Sequence, residues 1–291
     1  MNKKISFQGV EGAYSHLAVQ EFFPGAEPLP CKTFEIALNE AEIGNVDYAM
    51  IPIENSAAGR VADIHRLIPK SNLHINFEHF QKVEHKLLIH PDSKIENIKN
   101  IISHEQALAQ CSDKIQKLDL DILIGADTAG SAKKIQDEKI IDTAAIASSL
   151  AGKIYGLKVI DDNFANSVNN ITRFYIMSKN ENLEFDETKT YISSFLFSVK
   201  NTPGSLFKVM GGFATNNVNM IKLESYNYGA DFVITQFYCE IEGHPEQQNT
   251  KFALDDMYHY CSKVRKLGVF EKSPYRVCLL YTSPSPRDNR V

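Results

Sequence analysis

The strongest constraint on the fold is an alternation of short strands and amphipathic helices through the first 177 residues. Strand-length runs occur at Lys4–Gln8, Val46–Ile51, Lys86–His90, Ile122–Ile124, Ala144–Ala147 and Asn170–Met177. Between them, Leu17–Phe23, Thr33–Ile43, Val61–Ile68, His104–Leu118, Ala129–Gln136 and Ser148–Ile154 carry helical spacing or cap signals. Strands alternating with helices of this length predict an α/β architecture. Ser178–Lys189 is polar, has no apolar period, and reads as a linker.

A different pattern follows the linker. Ile192–Val199 reads as a strand, Asn201-Thr202-Pro203-Gly204-Ser205 as a turn, and Leu206, Val209, Met210, Phe213 and Ala214 as the buried stripe of a helix. Strands at Val218–Tyr226 and Phe232–Ile241, joined by a turn at Asn227–Asp231, precede a helix near Pro245–Ser262 and a strand at Val264–Phe270. The order is βαββαβ, an α+β module. With 291 residues there is room for two domains, each with its own core.

Composition excludes several classes. A formal charge of −5 and no dense Lys/Arg run argue against a nucleic-acid surface. No apolar run approaches the roughly 20 residues of a membrane span, and Met1-Asn2-Lys3-Lys4 leads straight into a strand, not a signal peptide. Cys31, Cys111, Cys239, Cys261 and Cys278 are odd in number, scattered and without a C-x-x-C pair, so reduced thiols in a cytoplasmic protein are expected. No His/Cys/Asp cluster has metal-ligand spacing, and no Gly-x-Ser-x-Gly elbow occurs.

Chemistry-bearing residues gather in four places. Along Asn170-Ile171-Thr172-Arg173-Phe174, strand alternation puts Asn170, Thr172 and Phe174 on one face and Arg173 on the other. Gly9-Val10-Glu11-Gly12-Ala13-Tyr14-Ser15-His16 is a strand-to-helix turn or an anion-binding loop, with Ser15 placed to cap the helix. It has neither the Lys of a P-loop nor the third Gly of a dinucleotide fingerprint. Pro52 is expected to end its strand, so that Glu54, Asn55, Ser56 and Gly59 lie beyond the carboxyl end, as a ligand site or as a solvated turn. Ser103 is expected to cap the helix His104–Leu118, in which Ala107, Leu108, Cys111, Ile115 and Leu118 share a face.

These stretches resemble the signature motifs of prephenate dehydratases. Pro52-Ile53-Glu54-Asn55-Ser56 and Asn170-Ile171-Thr172-Arg173-Phe174 are similar to the family's two signatures. Gly9–His16 is similar to its glycine loop, and Ser103-His104-Glu105-Gln106-Ala107-Leu108-Ala109-Gln110-Cys111 to its Ser-His-x-Gln-Ala-Leu-x-Gln-Cys motif. The resemblance runs to about residue 276. One departure is Asn166, where the family more often has an acidic residue.

The resemblance implies two α/β lobes of the periplasmic-binding-protein kind, residues 1–75 with 165–177 and residues 76–164, forming a catalytic domain over 1–178. Substrate would lie between the lobes. The implied activity is conversion of prephenate to phenylpyruvate, CO₂ and water, with no cofactor and no metal, or the same reaction on arogenate. A non-catalytic sensor is the alternative from another class. Thr172 is expected against the leaving hydroxyl, with Glu54 as proton donor or as an orienting group for Asn55 and Arg173. Ser15, Asn55, Ser56, Gly59, Ser103, His104, Asn170, Arg173 and Phe174 are the implied substrate-binding residues. No helical segment precedes Lys4, so a fused chorismate mutase is not expected.

Residues 190–276 are similar to an ACT domain, a ferredoxin-like module that senses amino acids. This implies feedback by L-phenylalanine in a homodimer or homotetramer; the alternative is a purely structural dimerisation module. Asn201, Pro203, Gly204, Ser205 and Leu206 match the first ligand loop, while Glu224 and Ser225 remain of a second motif whose Arg and Pro are here Tyr226 and Asn227. Val277–Val291 fits neither the family nor the last strand and reads as non-native sequence.

Overall fold

The computed structural model describes every residue except Met1, Val168, Leu183, 229–233 and 277–291; for His65, 226–228 and 234–235 the backbone alone is described. The tail and the second module's hairpin turn, on both of which expectations were placed, therefore fall wholly or partly outside the described residues. The chain divides into two compact units. One comprises Met1–Ser71 with His79–Tyr175, the other Asn72–Glu78 with the described residues from Ile176 on.

The first unit carries two sheets. Its elements run β1 (Lys4–Gln8), α1 (Tyr14–Phe22), β2 (Glu27–Cys31), α2 (Phe34–Glu42), β3 (Tyr48–Asn55), β4 (Gly59–Arg60) and α3 (Ala62–Leu67). Then come β5 (His74–Lys82), β6 (Lys86–Ile89), β7 (Asn100–Ser103), α4 (Glu105–Gln110), α5 (Ser112–Leu118), β8 (Asp121–Ile124) and α6 (Thr128–Asp137). β9 (Thr143–Ala147), α7 (Ser149–Ile154), β10 (Lys158–Asp161) and β11 (Ile171–Ser178) follow, the first residues of β5 and the last of β11 being counted with the second unit. The first lobe's sheet has the order β2-β1-β3-β11-β5, with β4 paired to β3. The second lobe's sheet has the order β10-β6-β9-β7-β8.

The central strands of the second sheet, β6, β9 and β7, are buried on both faces, which explains their continuous apolar runs, whereas Ile122, Leu123 and Ile124 of the edge strand β8 are exposed. Leu87, Ile89, Ile101, Ala144 and Ile146 face α4 and α5 through Ala107, Leu108, Cys111 and Ile115. Leu88, Ile102, Ala145 and Ala147 face the other way, onto Ala129, Ala132 and Ile135 of α6 and Ala151 of α7. Period-2 alternation within each strand thus feeds two separate cores.

Several expectations are corrected. The lobe boundary lies later than residue 76, because β5 belongs to the first sheet and the second sheet begins at β6. β3 runs through Pro52 to Asn55. Its pairing with β1 reaches only Met50 against Phe7, so the donor that Pro52 lacks is not missed on that side. The helix expected over His104–Leu118 is two helices broken at Cys111, whose backbone leaves the helical region (φ −117°, ψ 8°). The carbonyl of Gln110 there accepts from the Asn166 N–H at 2.8 Å. Leu118, the last residue of α5, is 49% exposed and not part of the buried face.

In the second unit, β12 (Tyr191–Val199), α8 (Ser205–Thr215), β13 (Met220–Tyr228), β14 (Ile234–Glu242), α9 (Gln248–Tyr260) and β15 (Cys261–Glu271) realise the expected βαββαβ order. The sheet order is β13-β14-β12-β15, with the pairs β13–β14, β14–β12 and β12–β15 antiparallel. Phe195, Phe197 and Ile241 pack against Val209 and Phe213 of α8 and Ala253, Leu254 and Met257 of α9.

Residues 72–78 join this unit for identifiable reasons. Gly268 of β15 lies so close to Ile75 that an added Cβ would come within 2.1 Å of the Ile75 carbonyl oxygen. Asn76 donates to the Asn180 carbonyl at 2.9 Å, and Arg276 donates twice to the buried Glu78 carboxylate at 2.8 Å. A forked guanidinium on a carboxylate that has left water is a strong anchor.

Candidate active site

The first unit holds a cavity of about 200 Å³ between its two lobes. From the first lobe it is lined by the β1–α1 loop, Tyr14 and Ser15 of α1, Asn55 of β3, and Asn170 and Thr172 at β11. From the second it is lined by His104, Gln106 and Gln110 at α4 and by Asp127 and Thr128 at the start of α6, with His85 between the sheets. Among the described residues, no Lys or Arg lines it, and Asp127 is its one carboxylate. Negative ligands would be held by neutral donors.

The β1–α1 loop is one source of those donors. Gly9 (φ +122°) and Gly12 (φ +84°) take backbone conformations that L side chains rarely adopt. Gly12 also sits so close to α7 that a Cβ would lie 2.7 Å from Ala151 Cα. Ser148 Oγ and Tyr155 Oη hold the loop by donating to the carbonyls of Gly12 (2.5 Å) and Glu11 (2.6 Å). α1 begins at Tyr14, earlier than expected, so Ser15 lies in its first turn and is not its cap. The N-cap is Ala13, which offers no side-chain acceptor. The first-turn amides of α1 therefore remain available to a ligand.

A directional hydrogen-bond chain crosses the cavity wall. Asn55 Oδ1 accepts from the Ala57 and Ala58 N–H groups at 3.0 and 2.9 Å, which fixes its amide. Its Nδ2 must then donate, to Asn170 Oδ1 at 2.7 Å and to Thr172 Oγ1 at 2.9 Å. Asn170 passes the order on, donating to Gln110 Oε1 at 2.8 Å. Gln110 Oε1 also receives His85 Nε2 at 2.8 Å, so that nitrogen carries the proton. His85 Nδ1 lies 2.8 Å from Tyr14 Oη, whose single proton is shared with the Glu84 carbonyl at 3.0 Å. Two backbone amides thus set the polarity from Asn55 through Asn170 and Gln110 to His85 Nε2.

Thr172 is the consequence. Its oxygen is occupied as an acceptor from Asn55, so its own proton is free to point into the cavity. Burial keeps His85 below the usual imidazole range, against the opposing Gln110 bond, which suits its neutral role. Burial likewise raises Tyr14 well above the usual phenol range, helped by Cys111 and Glu84.

Of the residues expected at the site, Ser15, Asn55, His104, Asn170 and Thr172 line the cavity. The others do different work. Glu54 and Arg173 pair on the opposite strand face, Arg173 Nη1 to Glu54 Oε1 at 3.0 Å. Arg173 is only 3% exposed and lies over the Tyr175 ring, with 5.0 Å to its centroid. Its fork is thus not in the cavity, and because β3 continues to Asn55, alternation separates Glu54 from Asn55 as well. Ser56 stitches β3 to the approach of β11, donating to the Asn169 carbonyl and accepting from the Ile171 N–H. Gly59 (φ +79°) pairs with Asn55 in the tight β3–β4 connection. Ser103 is fully buried and donates to the Ile146 carbonyl at 2.7 Å, leaving His104 as the helix cap through its Nδ1. Phe174 is core.

Tyr14, His85, Gln110 and Asp127 line the cavity without having been assigned to it from sequence. Gln110 lies in the Ser103–Cys111 motif, and Asp127-Thr128 at the start of a helix is a cap signal. His85 carried no local signal. Among the described residues, no group of three or more His, Cys, Asp or Glu could hold a metal ion, and no helix is long and apolar enough to cross a membrane.

In the second unit, Asn201, Gly204, Ser205 and Leu206 line one cavity of about 620 Å³, with Lys200, Thr202, Phe207 and Ser262. Gly204, with φ +76°, is the N-cap of α8. Pro203, Glu224 and Ser225 are not among the residues lining that cavity; Glu224 makes an ion pair with Lys222 at 3.3 Å.

Two α/β lobes around a hydrogen-bonding cleft, with one hydroxyl held proton-outward, define a two-lobed enzyme that acts on a small polar molecule. Comparison with known proteins gives the family. The chain matches the family model of prephenate dehydratase over residues 5–182. It is 41% identical over 272 residues to the bifunctional N-acyl-homoserine lactone acylase/prephenate dehydratase of Komagataeibacter europaeus, covering 94% of this chain and 97% of that one. It is 35% identical to arogenate dehydratase/prephenate dehydratase 1 of Arabidopsis thaliana, covering 92% and 71%. The solved prephenate dehydratase of Arthrobacter aurescens in complex with L-Phe shares the fold, with a TM-score of 0.83 at 24% identity and coverage of 96% and 97%. The chain belongs to the prephenate dehydratase family of hydro-lyases.

Proposed function

We propose that this chain converts prephenate to phenylpyruvate and is regulated by L-phenylalanine through its second unit. The observation that carries the reading is the orientation of Thr172, whose oxygen accepts from Asn55 while the residue lines the cavity. In the reaction the ring C–COO⁻ bond breaks and releases CO₂. Its electron pair enters the ring, which becomes aromatic as the C–OH bond at the opposite carbon breaks. Dianion plus one proton gives phenylpyruvate monoanion, CO₂ and water. Thr172 donates its hydrogen bond to the departing oxygen. A hydroxyl is too weak an acid to stay ionised, so it passes the proton on from solvent as a relay.

The carboxylates are held by first-turn amides of α1 and by side chains such as Gln106 and Ser15. Glu54 and Arg173 support the strand pair from its other face and act on the chemistry only by keeping β3 and β11 in place. The same cleft admits arogenate as a second substrate, a reading favoured by Asp127 in the cavity lining.

The second unit is read as an ACT domain, with L-phenylalanine in the cavity at Asn201, Gly204, Ser205 and Leu206 and a homodimer or homotetramer as the working state. Turnover of prephenate to phenylpyruvate, read by the product's absorbance in alkali with and without L-phenylalanine, tests both parts. No turnover by folded protein of either prephenate or arogenate overturns the catalytic reading, and turnover indifferent to L-phenylalanine overturns the regulatory one.

A further inference from the structure

We propose that Asp127 is a specificity-determining residue of this cleft, accepting a hydrogen bond from the side-chain ammonium of an amino-acid substrate. The inference rests on the dehydratase reading and adds to it the residue that tells two substrates apart. Prephenate and arogenate share the ring, the ring carboxylate and the leaving hydroxyl. They differ at one atom of the side chain, where prephenate has a keto oxygen and arogenate an ammonium. A keto oxygen can only accept hydrogen bonds, whereas an ammonium can only donate them. Whatever stands beside that atom decides between the two.

The cleft offers one anionic candidate. Asp127 is the carboxylate among its described lining residues, and no Lys or Arg lines the cavity to neutralise it. Its position is fixed, because Oδ1 caps α6 by accepting from the Gly130 N–H at 2.6 Å. Among the described residues, no hydrogen bond or ion pair engages Oδ2. The placement also suits the ligand. In both substrates the hydroxyl and the side chain stand on opposite carbons of the ring. Thr172 belongs to β11 of the first lobe, and Asp127 precedes α6 of the second. A substrate held hydroxyl-first at Thr172 turns its side chain toward the Asp127 wall.

The carboxylate acts in both directions. It attracts an ammonium through a charge-assisted hydrogen bond, and it faces a keto oxygen with a second acceptor. Discrimination by an unpaired or repelled polar group is the stronger kind of specificity.

The test is kcat/KM for arogenate and for prephenate, measured on wild type, Asp127→Asn and Asp127→Ser. Asn and Ser cap helices about as well as Asp, so α6 keeps its start in both variants. The expected result is a fall in the arogenate-to-prephenate ratio of roughly 10–100-fold in each variant, as for loss of one hydrogen bond to a charged group. The ratio moves because the arogenate constant falls further than the prephenate constant. A general structural defect lowers both constants together and leaves the ratio in place, and that outcome overturns the proposal. So does a wild type that converts prephenate but not arogenate. Wild type inert toward both removes the dehydratase reading itself, a result distinct from an unmoved ratio.

Discussion

Asn55 donates to Thr172 Oγ1 at 2.9 Å only because Asn55 Oδ1 is already claimed by the N–H groups of Ala57 and Ala58. The turn after β3 therefore sets which way the Thr172 proton points. Asn55→Asp separates this role from a structural one. The carboxylate still accepts from the two amides, but it no longer donates to Thr172, whose proton it instead draws to itself. A kcat loss of about 10²–10³-fold is expected, of the size seen when one preorganised donor is removed. Asn55→Ala also strips the turn amides of their acceptor and is expected to cost about 1–3 kcal/mol of stability, measured by urea unfolding. Equal kcat in Asn55→Asp and wild type would contradict the directional chain.

The Glu54–Arg173 pair makes a contrasting case. Arg173 is buried, and its partner is half-buried with 37% of its side chain exposed. Removing one member of a fully buried pair costs roughly 3–5 kcal/mol. With Glu54 partly in water, about 1–3 kcal/mol is expected for Glu54→Ala, discounted for solvent screening. KM for substrate should stay within about twofold at temperatures where the variant is folded, since neither residue lines the cavity. A large KM increase in fully folded protein would return Arg173 to substrate binding.

Acid sensitivity follows from the buried imidazoles. Burial lowers His85 despite its Gln110 bond, and it lowers His16 despite the nearby Glu11. The unfolded chain then binds protons more readily than the folded one, with an unfolded pKa of about 6.5. Their stabilising contribution is complete above that pH and is lost as pH falls below it toward the folded pKa. Each group gives a slope of at most about 1.4 kcal/mol per pH unit. Chemical denaturation between pH 7.5 and 5 should show falling stability, and His85→Gln should flatten the curve. A variant curve parallel to wild type would exclude His85 as a contributor.

Effector binding can be checked at Gly204. Its φ of +76° lies where L side chains are strained, and no neighbouring atom lies within 4 Å of an added Cβ. Gly204→Ala is therefore expected to strain the loop without a steric clash, weakening L-phenylalanine binding about tenfold or more by calorimetry, given a strain cost of order 1–3 kcal/mol. Unchanged affinity would place the effector elsewhere.

Much of this was legible before any coordinates. Strand alternation at Asn170–Phe174 already put Thr172 and Arg173 on opposite faces, and the structure keeps them there. The same alternation separates Glu54 from Asn55, since β3 continues through Pro52 to Asn55 where a proline suggests a strand end. A proline stops a ladder only where its missing N–H is needed, and pairing to β1 has already ceased at Met50. Ser103 and Phe174 read as polar and aromatic site residues but are absorbed by the core, since residue type alone does not say which strand face meets a helix. His85 and Gln110 were out of reach for a different reason. Their roles arise from contacts between residues 25 and 60 positions apart, and no local pattern encodes such meetings.

The central claim is that the Thr172 hydroxyl serves the departing oxygen. The direct measurement is prephenate turnover at saturation by wild type, Thr172→Ser and Thr172→Ala. The expected result is a loss of about 10²–10⁴-fold in kcat for the alanine variant, with substantial rescue by serine, which keeps the hydroxyl. An alanine variant that retains wild-type kcat would contradict the account.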